Sequence, residues 1–155
     1  MNENFLRLIE SLEPSFQKLL TMDPPKYAEL PRHLPIRGVY LFSENGQHLY
    51  VGRTNKLRQR LRGHCIASAS HFTATFAFRI ARNETGRLKA TYKTAGSRQD
   101  LTKDPVFKQA FEKAKSRVAS MEIRYVEETN PTRQALLEIY IATVLETPYN
   151  DFDTH

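Results

Sequence analysis

The sequence predicts an α+β fold, a small sheet flanked by helices. Three observations predict it: two apolar segments joined by an Asn-Gly pair between Gly38 and Gly52, a further alternating segment at Met121–Val126, and surrounding stretches with apolar residues at helical spacing. At 155 residues the chain fits one domain, spanning 1–155, long enough to bury most of the surface its unfolded form exposes.

The elements follow in order. Residues 2–22 carry Phe5, Leu6, Leu8, Ile9, Leu12, Phe16, Leu19 and Leu20 at near-helical spacing, and Pro14 breaks or restarts that run, giving one docking helix or a pair of short ones. Asp23 to Arg37 holds four prolines and reads as a linker that wraps onto the domain, with room for a short helical turn. Gly38 to Phe42 is an aromatic strand. Asn45-Gly46 favours a type I′ turn, Leu49-Tyr50-Val51 returns antiparallel, and Gly52 ends the hairpin. Thr54 or Asn55 caps a helix from Lys56 to about Cys65, with Leu57 and Leu61 inward and Lys56, Arg60 and His64 on another stripe. Phe72, Phe76 and Ile80 recur every four residues and predict a further helix, followed by a polar segment from Glu84 to Arg98. Asp104-Pro105 opens a helix to about Val118, Met121–Val126 is a third strand, and Asn130-Pro131 starts the last helix, to about Glu146.

The net charge of +6 and pI near 9.5 suggest a polyanionic partner. Between Arg53 and Arg124 stand 17 Lys/Arg against 5 Asp/Glu, a balance of +12 that leaves −6 for the rest, so the positive charge is concentrated mid-chain. The single cysteine, Cys65, rules out an intramolecular disulfide and a cysteine-rich zinc site, and reads as a small buried thiol. There is no secretory leader pattern and no membrane-spanning run, so a cytoplasmic protein is expected.

Several residues are candidates for chemistry, each beside a plainer account. Tyr40 and Tyr50 are ordinary strand aromatics when taken singly. Placed across one hairpin, each near a glycine, they mark a point of close backbone or ligand approach. Arg60 and His64, four apart on one helix, can converge on one target; otherwise they belong to a solvated face, as Arg58 and Arg62 do. Glu138 projects from a mostly apolar helical surface, among Gln134, Ala135, Ile141, Ala142 and Leu145. A carboxylate there needs a partner, either an arginine or a Mg²⁺ ion. Asn150 follows the last helix, where an asparagine normally caps its own backbone. His33, His48, His71 and His155 are read as structural.

These residues resemble the GIY-YIG nuclease superfamily. The first signature stands as Gly38-Val39-Tyr40 and the second as Tyr50-Val51-Gly52, with valine for isoleucine in both. The family's helical arginine matches Arg60, its following histidine His64, its metal-binding glutamate Glu138 and its late asparagine Asn150. The resemblance is close over 38–64 and loose over 121–150. It leaves 1–37, a helical extension with a Pro-rich linker, and 66–120, a basic helical insertion, unexplained. It implies a three-stranded antiparallel sheet flanked by helices. It also implies a catalytic set of Tyr40, Tyr50, Arg60, His64, Glu138 and Asn150, with Glu138 as the metal ligand.

The expectation is a Mg²⁺- or Mn²⁺-dependent DNA endonuclease with one metal ion per site, acting on duplex or branched DNA as a monomer or homodimer. The chain leaves no room for a separate DNA-binding domain. Arg53, Lys56, Arg58, Arg79, Arg82, Arg87, Lys89, Lys93 and Arg98 are therefore the candidate phosphate contacts. The alternatives are a non-catalytic nucleic-acid-binding module on the same scaffold and a small RNA nuclease.

Overall fold

The structure is a computed structural model, and it describes residues 1–86 and 98–154. The chain forms two compact units, one made of Met1–Gln59 with Glu122–His155 and the other of Arg60–Met121.

The first unit is built on a three-stranded antiparallel sheet in the order β2-β1-β3, from β1 (Gly38–Glu44), β2 (Gln47–Thr54) and β3 (Glu122–Glu127). Asn45 and Gly46 both have positive φ, 52° and 78°, the sign a type I′ turn requires at its two central residues. The β2 strand does not end at Gly52 but runs on to Thr54, with Gly52 opposite Tyr40 and Arg53 opposite Val39. A shift of register after Phe42 pairs Ser43 with His48 and skips Leu49.

Pro14 marks the division expected of it. Helix α1 covers Glu3–Glu10, and α2 covers Glu13–Thr21 with the proline in its first turn, where no N–H is needed. A 3₁₀ turn at Tyr27–Glu29 interrupts the Pro-rich linker. Val39, Leu41, Val51 and Val126 on one sheet face pack with Leu12, Phe16 and Leu19, and with Leu137, Ile141 and Ala142 of the last helix, α7 (Pro131–Leu145). Asn130 caps α7 by accepting from the Arg133 N–H, and Arg133 in turn holds Glu128 at 2.7 Å.

Helix α3 (Leu57–Cys65) crosses the division between the units; Thr54 accepts from the Lys56 N–H just ahead of it. In the second unit, α4 (Thr75–Glu84) packs against α6 (Pro105–Ala119), with the short α5 (Arg98–Leu101) between them in sequence. Phe78 meets Phe107 and Phe111 at ring separations of 5.0 and 5.7 Å. Asp104 caps α6 through the Val106 N–H. Phe72 lies ahead of α4 and is 72% exposed, so the four-residue recurrence held for Phe76 and Ile80, both buried, and not for Phe72.

Candidate active site

Tyr40 stands on the central strand, 1% exposed, between Gly52 on one side and Tyr125 on the other. A Cβ built on Gly52 would fall on the Tyr40 ring and hydroxyl, so the glycine is what lets the phenol lie across β2. Tyr50 is partly exposed, with its ring centroid 6.5 Å from that of Tyr40. Phe42 meets Tyr40 edge-on at 5.9 Å. By register Tyr40, Phe42, Tyr50 and Tyr125 share the sheet face opposite the core of Val39, Leu41 and Val51. Tyr125 escaped the sequence reading, although its alternation with Ile123 in the third strand was a signal for it.

Asn150 does not cap its own turn. Its amide accepts from the Val51 N–H at 2.9 Å and donates to the Val51 carbonyl at 2.8 Å, satisfying both backbone groups of the residue between Tyr50 and Gly52. Thr147 donates to the same amide oxygen at 2.8 Å and fixes its orientation. Asparagine carries one acceptor and two donors on one short side chain, and so can stand in for a neighbouring strand.

Glu138 is half-buried, its side chain 21% exposed, and its partner is Arg53, whose Nε lies 3.0 Å from the carboxylate. Burial raises the Glu138 pKa from the usual carboxylate value, and the Arg53 charge and hydrogen bond pull it back in part. Arg53, expected among phosphate contacts, is thus the cation that neutralises Glu138.

In the second unit, Arg60 donates to the Thr73 carbonyl at 2.9 Å and to the Thr75 hydroxyl at 2.8 Å, which fixes the plane of its guanidinium. His64 is fully buried, and burial first, the Arg60 charge second, hold its pKa well below the ordinary imidazole value. It is therefore neutral. Cys65 is buried beside it, its thiol pushed up to about 12 by burial.

The expected phosphate contacts divide. Lys56 and Arg58 are exposed and Arg79 is partly so. Arg82 is 7% exposed, with its guanidinium over the Phe78 ring at 5.9 Å. Arg87, Lys89 and Lys93, and the Arg98 side chain, lie outside the described residues. Lys115, which the sequence did not single out, is buried with its ammonium on the carbonyls of Ala67 and Ala69 and on Glu112, a structural use of charge. His48 lies 2.7 Å from Ser43, which also accepts from Arg124, and so serves the bulged end of the hairpin.

Among the described residues no helix is long and apolar enough to cross a membrane. The family model described as the GIY-YIG catalytic domain matches residues 37–150. A search of curated proteins and a search of solved structures each found no match.

Proposed function

The chain belongs to the GIY-YIG family, whose members are nucleases, and from that premise we propose that it is a Mg²⁺-dependent DNA endonuclease with one metal ion per site. The observation that carries the reading is the Tyr40 phenol laid across Gly52, beside Tyr50, on a sheet whose outer strand is tied to Glu138 through Arg53.

GIY-YIG nucleases generally use divalent ions. Among the described residues no three His, Cys, Asp or Glu side chains gather into one cluster, and we take the carboxylate of Glu138 as the protein's ligand. That ligand fits Mg²⁺ (Mn²⁺ equally), which takes one or two carboxylates and completes its octahedron with water and substrate phosphate. Bound at Glu138, the ion would supply positive charge to the leaving oxygen.

The protein's own residues do the rest. Tyr40 as phenolate would take the proton from the attacking water; a free phenol titrates near 10, so this role requires positive charge, for which Arg60 is the candidate. Tyr50 orients that network, and Asn150 is a positioning residue that acts through Val51. Arg60 neutralises the scissile phosphate with a guanidinium already fixed in plane. His64, buried and neutral, accepts or donates a hydrogen bond rather than carrying a positive charge. The chain from 1 to 155 is read as one nuclease domain, in the cytoplasm, as a monomer or homodimer.

The test is plasmid nicking in Mg²⁺ by wild type and Glu138→Ala, with single-stranded RNA, duplex DNA and branched DNA assayed in parallel. A loss of about a hundredfold or more is expected in the variant, the scale on which one charge-stabilising group acts. Full activity in the variant overturns the metal assignment. Cleavage of RNA alone makes the protein an RNA nuclease, and binding without cleavage of any substrate makes it a non-catalytic module.

A further inference from the structure

The matched region begins at residue 37, and the Pro-rich linker before it is tied down along its length. The Pro25 carbonyl accepts from the Ile123 N–H at 2.8 Å, the Ile36 carbonyl from Leu57 at 2.8 Å and the Arg37 carbonyl from Glu128 at 3.1 Å. Between these points the Arg58 guanidinium donates to the carbonyls of Pro31 and Arg32, at 2.5 and 3.0 Å. The linker therefore runs beside the first turn of α3, and the two enclose a cleft of about 300 Å³ within the first unit.

The cleft is lined by residues 32–36 and 56–59. Arg32, His33, Lys56 and Arg58 supply polar walls, Leu34, Pro35 and Leu57 the apolar surface, and no carboxylate lines it. No Asp or Glu occurs from Pro31 to Arg37 or from Asn55 to Cys65. Three permanent cations gathered without an acid repel one another, so an anion bound there relieves a cost already present. Ile36, 75% exposed, adds a large apolar side chain to the same lining. Glu128, whose N–H holds the Arg37 carbonyl, directly follows β3, so the linker is tied to the sheet that carries Tyr40.

We propose that this cleft holds a backbone phosphate of the nucleic-acid substrate at a position other than the bond that is cut, with the adjoining sugar and base against Pro35 and Ile36; this rests on the nuclease function proposed above. The linker is then part of the substrate-binding surface. Arg58 has a double part in it, since its guanidinium also holds the wall in place.

The experiment is a titration of labelled duplex DNA across salt concentrations in EDTA, so that no cleavage occurs, with the wild-type chain and the double variant Arg32→Glu, Lys56→Glu. Both residues are exposed, and a thermal melt confirms that the variant is folded; the single variant Arg32→Ala gives the same readout with a smaller perturbation. Losing one phosphate contact flattens the plot of log affinity against log salt by about 0.9. An unchanged slope and affinity in the double variant, with wild type binding and nicking normally, overturns the cleft and leaves the nuclease function standing. Failure of the wild-type chain to bind any nucleic acid overturns both. Loss of binding to a polyaspartate peptide with an unchanged DNA slope overturns the cleft as a phosphate site and assigns it to an acidic protein partner.

Discussion

Tyr40 owes its position to an atom that is missing: the Cβ of Gly52 would occupy the space of its hydroxyl. The sequence pointed to both residues and to a close approach at that glycine. That the approaching group is the tyrosine itself follows only from the register, which sets the two opposite one another. Glu138 was legible as a carboxylate in need of a partner, because a helical wheel shows its apolar neighbours. Its partner Arg53 is 85 residues away in the chain, and no local pattern announces it. His64 carries a prediction at this scale. Unfolded imidazole titrates near 6.5, whereas buried His64 titrates well below its ordinary value, so in the window between the two the unfolded chain binds the extra proton. Stability is fully present above the unfolded value and declines as pH falls through it toward the folded one, by at most about 1.4 kcal/mol per pH unit for one proton. His48, lowered by partial burial and by Arg124, acts in the same direction. Thermal melts across mildly acidic pH should show this fall, and His64→Gln should flatten it. An acid limb equally steep in the variant would show that other groups set it.

Among the elements, β2 is held by residues both near and distant in sequence. Its inner side pairs with β1, and Val51 on its other side is bonded to Asn150. Asn150→Ala removes two hydrogen bonds and leaves the Val51 backbone groups without them, a cost of about 1–3 kcal/mol in stability. It should also loosen Tyr50 and Gly52, so nicking is expected to fall at temperatures well below the melting point. A variant that melts earlier yet cleaves at the wild-type rate when folded would confine Asn150 to stability. Most element types were legible from period and capping chemistry, Asn-Gly in the hairpin and Asp104-Pro105 and Asn130-Pro131 at helix starts, whereas the short α5 was not. Boundaries were less so. Gly52 looked like a strand end because glycine commonly breaks strands, and Phe72 looked helical because spacing cannot reveal that a turn through Ser70–Ala74 comes first.

At the scale of the molecule, the first unit is assembled from the two ends of the chain, and its sheet closes only when β3 returns to β1. The hairpin and the helix after it carried most of what the sequence could say about chemistry, since those residues are near neighbours in the chain. The cleft beside α3 was not legible, because it depends on where a Pro-rich linker is tied. The contacts at Asn150 reach beyond a single strand. In the order β2-β1-β3 the strand β2 is outermost, and an outermost strand offers backbone groups to any other extended chain it meets. Here the Tyr149 N–H bonds the Leu49 carbonyl and Asn150 bonds Val51, so the segment after α7 occupies the place a foreign strand would take. A chain ending at Glu146 should therefore self-associate with rising concentration, seen as increased light scattering. Scattering no greater than that of the full chain would mean that something else guards this edge. Residues 147–150 thus serve colloidal solubility, holding apart molecules whose sheets would otherwise add to one another.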